Sequence, residues 1–193
     1  MFLDQESLKK HRPIVLRAIA YALLLSHDIR RDTDLWLLLR MNSQEYGLLH
    51  LTGSSLRHLR PDESSSWGIL RKCLKILYKL QPSSSRKAHE GIHVCRFHLI
   101  SELLERFPRG YTLRVVDVGT KLSPPSFAEC LPQGNILLLL DADISRLSAG
   151  ELEILRNSGC KIQCLALPLK EFTLDQIIAI VNWLLDRWFK NAN

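Results

Sequence analysis

The sequence predicts an α/β fold, a largely parallel sheet flanked by helices, in one domain spanning residues 1–193. Three observations predict it. Short apolar runs of strand length alternate with helical patterns through the second half of the chain. One such run, Ile136 to Leu140, has no polar alternation, as expected of a central parallel strand covered on both faces. The length of 193 residues, with 46% hydrophobic and 24% charged residues, suits one globular domain with a sizeable core.

Arg12 to Leu25 reads as the first helix, because Ile14, Val15, Ile19, Ala22 and Leu23 share a face and Pro13 suits its first turn. Asp34 to Arg40 is a strand bounded by charge, and Gly47 to Leu51 is its neighbour across a hairpin-like turn at Asn42–Glu45. Pro61 to Ser66 offers several N-caps for a helix over Trp67 to Leu80. That helix turns Ile69, Leu70, Cys73, Leu77 and Leu80 inward and Arg71, Lys72, Lys75 and Lys79 outward. Pro82 to Lys87 reads as a loop, Ile92 to Cys95 as a short extended piece, and Phe97 to Phe107 as a helix. Leu113 to Val118 is a strand, followed by an irregular Pro- and Ser-rich segment, Lys121 to Gly134. Ser148 and Glu151 have capping-box spacing at the start of a helix to Asn157, and Gly159 ends it. Ile162 to Leu167 is the last strand and Thr173 to Phe189 the last helix. That helix is apolar on more than one side, which favours a subunit interface over a single buried face.

No apolar run reaches the roughly 18 residues a membrane span needs, and the N-terminus lacks a basic region followed by an apolar one, so the chain reads as soluble and cytoplasmic. The five cysteines have no C-x-x-C spacing and the seven histidines no ligand spacing, which argues against a metal site. The net charge of +6 is unevenly spread. Up to Arg109 there are 18 basic against 11 acidic residues, and from Gly110 onward 8 against 9. Basic groups in successive loops and helix ends of the first half fit a phosphate-backbone partner, the alternative being ordinary surface lysines and arginines that serve solubility.

The stretch richest in chemistry is Ser26-His27-Asp28-Ile29-Arg30-Arg31-Asp32, a polar septet between a helix and a strand. Turn geometry alone needs only Gly, Asn or Pro, so two arginines, two aspartates and a histidine there point to binding. The bland alternative is a solvated turn whose charges pair with one another.

This septet resembles the corresponding stretch of the archaeal tRNA pseudouridine-54 N1-methyltransferases, members of the SPOUT (trefoil-knot) superfamily. Gly53-Ser54-Ser55-Leu56-Arg57-His58-Leu59-Arg60-Pro61-Asp62-Glu63 is similar to that family's Gly-Ser-x-Leu-(x)-x-Leu-x-Pro-Asp-Glu segment. Gly91-Ile92-His93-Val94 resembles its Gly-Val-Tyr-Val. The blocks occur in the family's order, and the resemblance spans roughly residues 14 to 190. It implies a C-terminal trefoil knot, a homodimer formed through the last helix, S-adenosylmethionine as cofactor, and N1-methylation of pseudouridine in structured RNA such as a tRNA T-loop. Asp28, Arg30, Arg31 and Asp32 are then the catalytic candidates, with Arg17, His27, Arg57 and Arg60 on the RNA.

Ligands of open α/β sheets sit beyond the carboxyl ends of the strands. The resemblance places the cofactor there, on Val116, Leu140, Asp141, Leu165, Ala166 and Leu167, with Ile177 from the last helix. The chain departs from the family in these loops. Asp141 and Ser145 stand where the family's middle loop has glycine, and Ala166 and Leu167 replace its Gly before Pro168. Glycine lets backbone approach a ligand closely. Its loss leaves a second reading open, a catalytically inactive RNA-binding homodimer of the same fold.

Overall fold

The computed structural model describes residues 2–26, 28–42, 45–106, 112–118, 136–140, 148, 150–151, 153–154, 163–167 and 172–191. It contains strands β1 (Phe2–Asp4), β2 (Asp34–Asn42), β3 (Glu45–Thr52), β4 (Ser84–His89), β5 (Ile92–Phe97), β6 (Thr112–Val118), β7 (Ile136–Leu140) and β8 (Gln163–Leu167). The helices are α1 (Gln5–Lys10), α2 (Arg12–Leu23), α3 (Glu63–Lys79), α4 (Ser101–Arg106) and, here numbered α5, Leu174–Asn191.

The α/β class holds, but the largely parallel sheet is corrected. The larger sheet has the order β1-β2-β3-β5-β4, and only the β1–β2 pair is parallel. The physical reason is connection length. Parallel neighbours need a crossover of a dozen or more residues, whereas tight turns force antiparallel pairing. β4 and β5 are joined through Glu90 and Gly91, with Gly91 in the left-handed region at φ 70°. Parallel pairing does govern the second half: β7, β6 and β8 form a three-stranded sheet with β6 in the middle and all pairs parallel. The expected trefoil knot depends on connections outside the described residues, as do the segment Lys121 to Gly134, Asp141 and His27.

One face of the larger sheet, through Leu37, Leu39, Leu49, Leu51, Ile92 and Val94, packs on Val15, Leu16 and Ile19 of α2, Leu70, Cys73 and Leu77 of α3, and Leu174 and Ile178 of α5. The opposite face buries Leu38, Leu48, Cys95 and Phe97 under Ile100 and Leu103. α3 starts as its sequence directs: Asp62 is the N-cap and accepts from the Ser65 N–H at 2.7 Å. Ser148 and Glu151 form the expected capping box, with Ser148 N–H to Glu151 Oε2 at 2.6 Å and Glu151 N–H to Ser148 Oγ at 3.2 Å.

Two stretches differ from expectation. Ser84 to His89 is an edge strand, although its sequence carries little apolar signal, because β5 supplies its hydrogen-bonding partner. Phe97 closes β5 with its side chain buried, so the helix after it is confined to Ser101–Arg106.

Candidate functional site

The three sequence blocks, far apart in the chain, meet at one end of the larger sheet. The connection after α2 doubles back on itself: Leu24 bridges Ile29, Leu25 N–H donates to Asp28 O at 2.7 Å, and Arg30 N–H to Leu23 O at 2.7 Å. Asp28 Oδ1 accepts from its neighbour's amide, Ile29 N–H, at 2.6 Å and from Arg31 Nη2 at 3.0 Å. The amide first, and the guanidinium second, hold the Asp28 carboxyl below the ordinary aspartate range.

Arg31 extends the other side of its fork to the second block, donating from Nη1 to Leu56 O at 2.9 Å and Gly53 O at 3.2 Å. Gly53 N–H in turn donates to Thr33 O at 3.1 Å and Asp34 Oδ1 at 3.1 Å. A Cβ on Gly53 would lie 2.0 Å from Arg30 O and 2.3 Å from Thr33 O, so only glycine admits this approach. The third block closes the cluster. Thr52 N–H donates to Gly91 O at 2.8 Å, and a Cβ on Gly91 would sit 2.4 Å from Leu56 N and Cα. The two glycines that open the second and third blocks are therefore where backbone meets backbone.

The seven-residue connection divides its roles. Asp28, Arg31 and Asp32 are exposed at the cluster, and Asp32 accepts from Thr33 Oγ1 at 3.2 Å. Arg30 turns away from them. Its side chain is only 13% exposed and makes a two-pronged pair with Asp186 of α5, at 2.7 and 2.6 Å. Arg57 and Arg60 are exposed on the loop between β3 and α3. Arg17, on α2, donates from Nε to Asp175 Oδ2 at 2.7 Å and lies 3.8 Å from Glu63. Burial alone would raise the Asp175 carboxyl, but Arg17 and the Thr173 hydroxyl together outweigh it and hold the group below the usual range. His27 lies outside the described residues.

The cofactor candidates are aligned by strand register. Val116 pairs with Leu140 on one side and Leu165 on the other, and Asp117 and Val118 pair with Ala166 and Leu167. The carboxyl ends of three parallel strands thus lie side by side around β6, where strand order reverses from β7 to β8. Ile177 is buried in the first turn of α5, with its N–H on Thr173 O at 2.9 Å. The loops that leave these strand ends, which would hold a cofactor, lie outside the described residues.

Sequence reasoning passed over Asp34 and Asp186. Asp34 accepts from Gly53 N–H and sits 2.8 Å from His50 Nε2, while Asp186 holds Arg30. The partner of Asp186 is 156 residues away, and no local pattern marks it. Among the described residues, no group of three or more His, Cys, Asp or Glu side chains converges as metal ligands do. Nor is any described helix long and apolar enough to cross a membrane. Burial pushes the Cys73 thiol up to about 11, which leaves it an inert core residue.

Comparison with known proteins gives a consistent result. A family model described as "Putative SAM-dependent RNA methyltransferase" matches residues 8–118, the part holding all three converging blocks. The tRNA (pseudouridine(54)-N(1))-methyltransferase of Methanocorpusculum labreanum is 28% identical over 148 residues, covering 75% of this chain and 69% of that protein. Its counterparts in Methanocella arvoryzae and Thermococcus kodakarensis are 24% and 27% identical, each covering 90% of this chain and 84% of the relative. The crystal structure of Archaeoglobus fulgidus Nep1 bound to S-adenosylhomocysteine shares the fold, with a TM-score of 0.58 at 13% identity over 97% of this chain and 81% of that one.

Proposed function

Because the chain belongs to the family of SAM-dependent RNA methyltransferases, we propose that it methylates N1 of pseudouridine in structured RNA, a tRNA T-loop above all. The observation that carries this reading is the convergence of the three blocks through Arg31, Gly53, Leu56 and Gly91 into one polar surface. The relatives' names supply the position modified.

N1 of pseudouridine is an imide-like nitrogen that must lose a proton as it gains a methyl group. Asp28 and Asp32 are the exposed carboxylates placed to hydrogen-bond the uracil edge or take that proton. Asp28, held ionised by its amide and by Arg31, is suited to accept a hydrogen bond from the uracil edge, and its lowered carboxyl makes it a weaker base than an ordinary aspartate. The half-exposed Arg31 guanidinium stabilises the charge that develops on the base. Arg57 and Arg60 take phosphates of the flanking strand, and Arg30 holds α5 in place beside the site.

Bound S-adenosylmethionine supplies an electrophilic methyl group on a sulfonium. Main-chain groups at Val116, Leu140 and Leu165 to Leu167, together with the loop at Asp141, would hold it, with Ile177 behind them. The protein acts in the cytoplasm as one domain and as a homodimer. The outward side of α5 supports the dimer, with Trp183 exposed and Ile180, Leu184 and Leu185 half-buried.

A second reading, an RNA-binding homodimer without catalysis, is favoured by the missing glycines at Asp141 and Ser145. Calorimetric titration with S-adenosylmethionine separates the two. The enzyme binds it and transfers labelled methyl to a stem-loop RNA containing pseudouridine but not to its uridine counterpart. Absence of cofactor binding would leave only the second reading.

A further inference from the structure

Resting on this RNA reading, we infer that the open end of the larger sheet is a stacking surface for unpaired nucleotides of the bound RNA. Trp36 on β2, His50 on β3, His93 on β5 and Lys87 on β4 are successive cross-strand partners. Side chains directly opposite one another share a face of the sheet. Further along the same face, Leu38, Leu48, Cys95 and Phe97 lie under Ile100 and Leu103. The row runs from that covered cluster to solvent: Trp36 packs against the cluster and is half-buried, as is His50, while His93 and Lys87 are exposed.

The rings are set in advance. Trp36 and His50 stack with centroids 4.0 Å apart and planes 28° from parallel, and Asp34 holds His50 Nε2 at 2.8 Å. A solvated strand needs only threonines or charges, whereas flat rings fixed on a sheet offer each base a surface for its own π-face. Four strands span about 14 Å at ordinary spacing, room for two or three bases. Charge agrees with this partner. Lys87 ends the row, and the nearby carboxylates are engaged, Asp34 by His50 and Gly53 N–H and Glu90 at 4.0 Å from Lys87.

The row is also continuous with the converging loops. Asp34, Thr52 and Gly91 each stand two residues from Trp36, His50 and His93 along their strands, roughly 7 Å. A strand whose phosphates meet Arg57 and Arg60 would lead its unpaired bases onto this row.

The test uses the full chain with two labelled RNAs, a stem-loop with an unpaired loop and a fully paired duplex of equal length, read by fluorescence anisotropy across a salt series. His50→Ala with His93→Ala should weaken stem-loop binding about ten- to a hundredfold. It should leave duplex affinity and the salt slope unchanged, since stacking releases no counterions. Unchanged duplex binding also reports that the variant is folded. His50→Phe with His93→Phe should keep stem-loop affinity, because a ring remains. The inference is overturned if the alanine pair binds both RNAs like the parent, loses both equally, or is matched in weakness by the phenylalanine pair. It is likewise overturned if sedimentation shows the alanine pair losing only self-association, which would assign this face to a second copy of the chain. A parent that shows the stem-loop effect yet transfers no methyl supports the surface and sinks the enzymatic reading; a parent that transfers methyl while the alanine pair binds like it sinks the surface alone.

Discussion

Gly53 and Gly68 are the same residue type under opposite constraints. At Gly53 an added methyl group would collide with two backbone carbonyls, at 2.0 and 2.3 Å, which cannot swing aside as a flexible side chain can. At Gly68, inside α3, it would meet nothing within 4 Å. Gly53→Ala should therefore cost about 1–3 kcal/mol or more, and Gly68→Ala should gain about 0.5–1 kcal/mol through helix propensity. Urea midpoints that move in the same direction for both variants would contradict this account. Glu151 is a second case in which surroundings decide. Burial pushes its carboxyl up, but the Tyr46 hydroxyl at 2.6 Å, the Ser148 N–H and the Arg40 guanidinium at 2.7 Å outweigh it and hold the group below the usual range. Tyr46 is correspondingly pushed up to about 12 by burial and by that carboxylate. A lowered carboxylate pKa gives stability fully present above the unfolded value, about 4.3 for Glu, and lost as pH falls through the folded value. Glu151→Gln should lose on the order of 1–3 kcal/mol at pH 7, and its stability should fall less steeply below about pH 4.3. An acid limb as steep as the parent's, measured by denaturation at a series of pH values, would exclude Glu151 as a source of it.

At the scale of elements, α5 is held to the first half by apolar and polar contacts together. Leu174, Ile177, Ile178 and Val181 are buried. Beside them, Asp175 meets Arg17, the Asn182 amide donates to Tyr21 O at 2.7 Å, and Asp186 meets Arg30. Their partners Arg17, Tyr21 and Arg30 rise in the same order as 175, 182 and 186, so α5 runs in the same direction as α2. Removing one partner of a buried ion pair strands the other charge. Arg30 is nearly enclosed, and its Nε already has no partner among the described residues, whereas Asp186 is 44% exposed. Asp186→Ala should therefore cost less than a fully buried pair would, about 1–2 kcal/mol, and lower Tm by roughly 2–8 °C. A calorimetric Tm equal to the parent's would show that Arg30 finds another partner or water.

The whole-molecule prediction concerns assembly. α5 buries one apolar stripe within the chain and leaves Trp183 55% exposed, with the Arg187 guanidinium 5.0 Å from its ring centroid. This side of α5 is the one that the proposed homodimer would cover. In the proposed homodimer, Trp183→Glu would place a carboxylate in the interface, and sedimentation should show the parent as a dimer and the variant as a monomer at micromolar concentration. A monomeric parent would remove α5 from any such role.

Local pattern determined much of this protein by itself. The helices α2, α3 and α5 and the strands β2, β3, β6, β7 and β8 are legible because apolar spacing over a dozen residues or fewer specifies them. The Asp62 cap and the Ser148–Glu151 capping box are legible for the same reason, since their partners lie within three residues. The converging blocks could be singled out as chemistry-rich, but not assembled. What only the tertiary structure decided is every feature whose partner lies far along the chain. β4 is a strand because β5 pairs with it, and the large sheet is mostly antiparallel because tight turns reverse the chain. Arg30, which in sequence is the twin of Arg31, is drawn to Asp186 while Arg31 clasps Gly53 and Leu56. Sequence proximity sets which groups a segment carries; burial and long-range pairing set which of them face solvent and substrate.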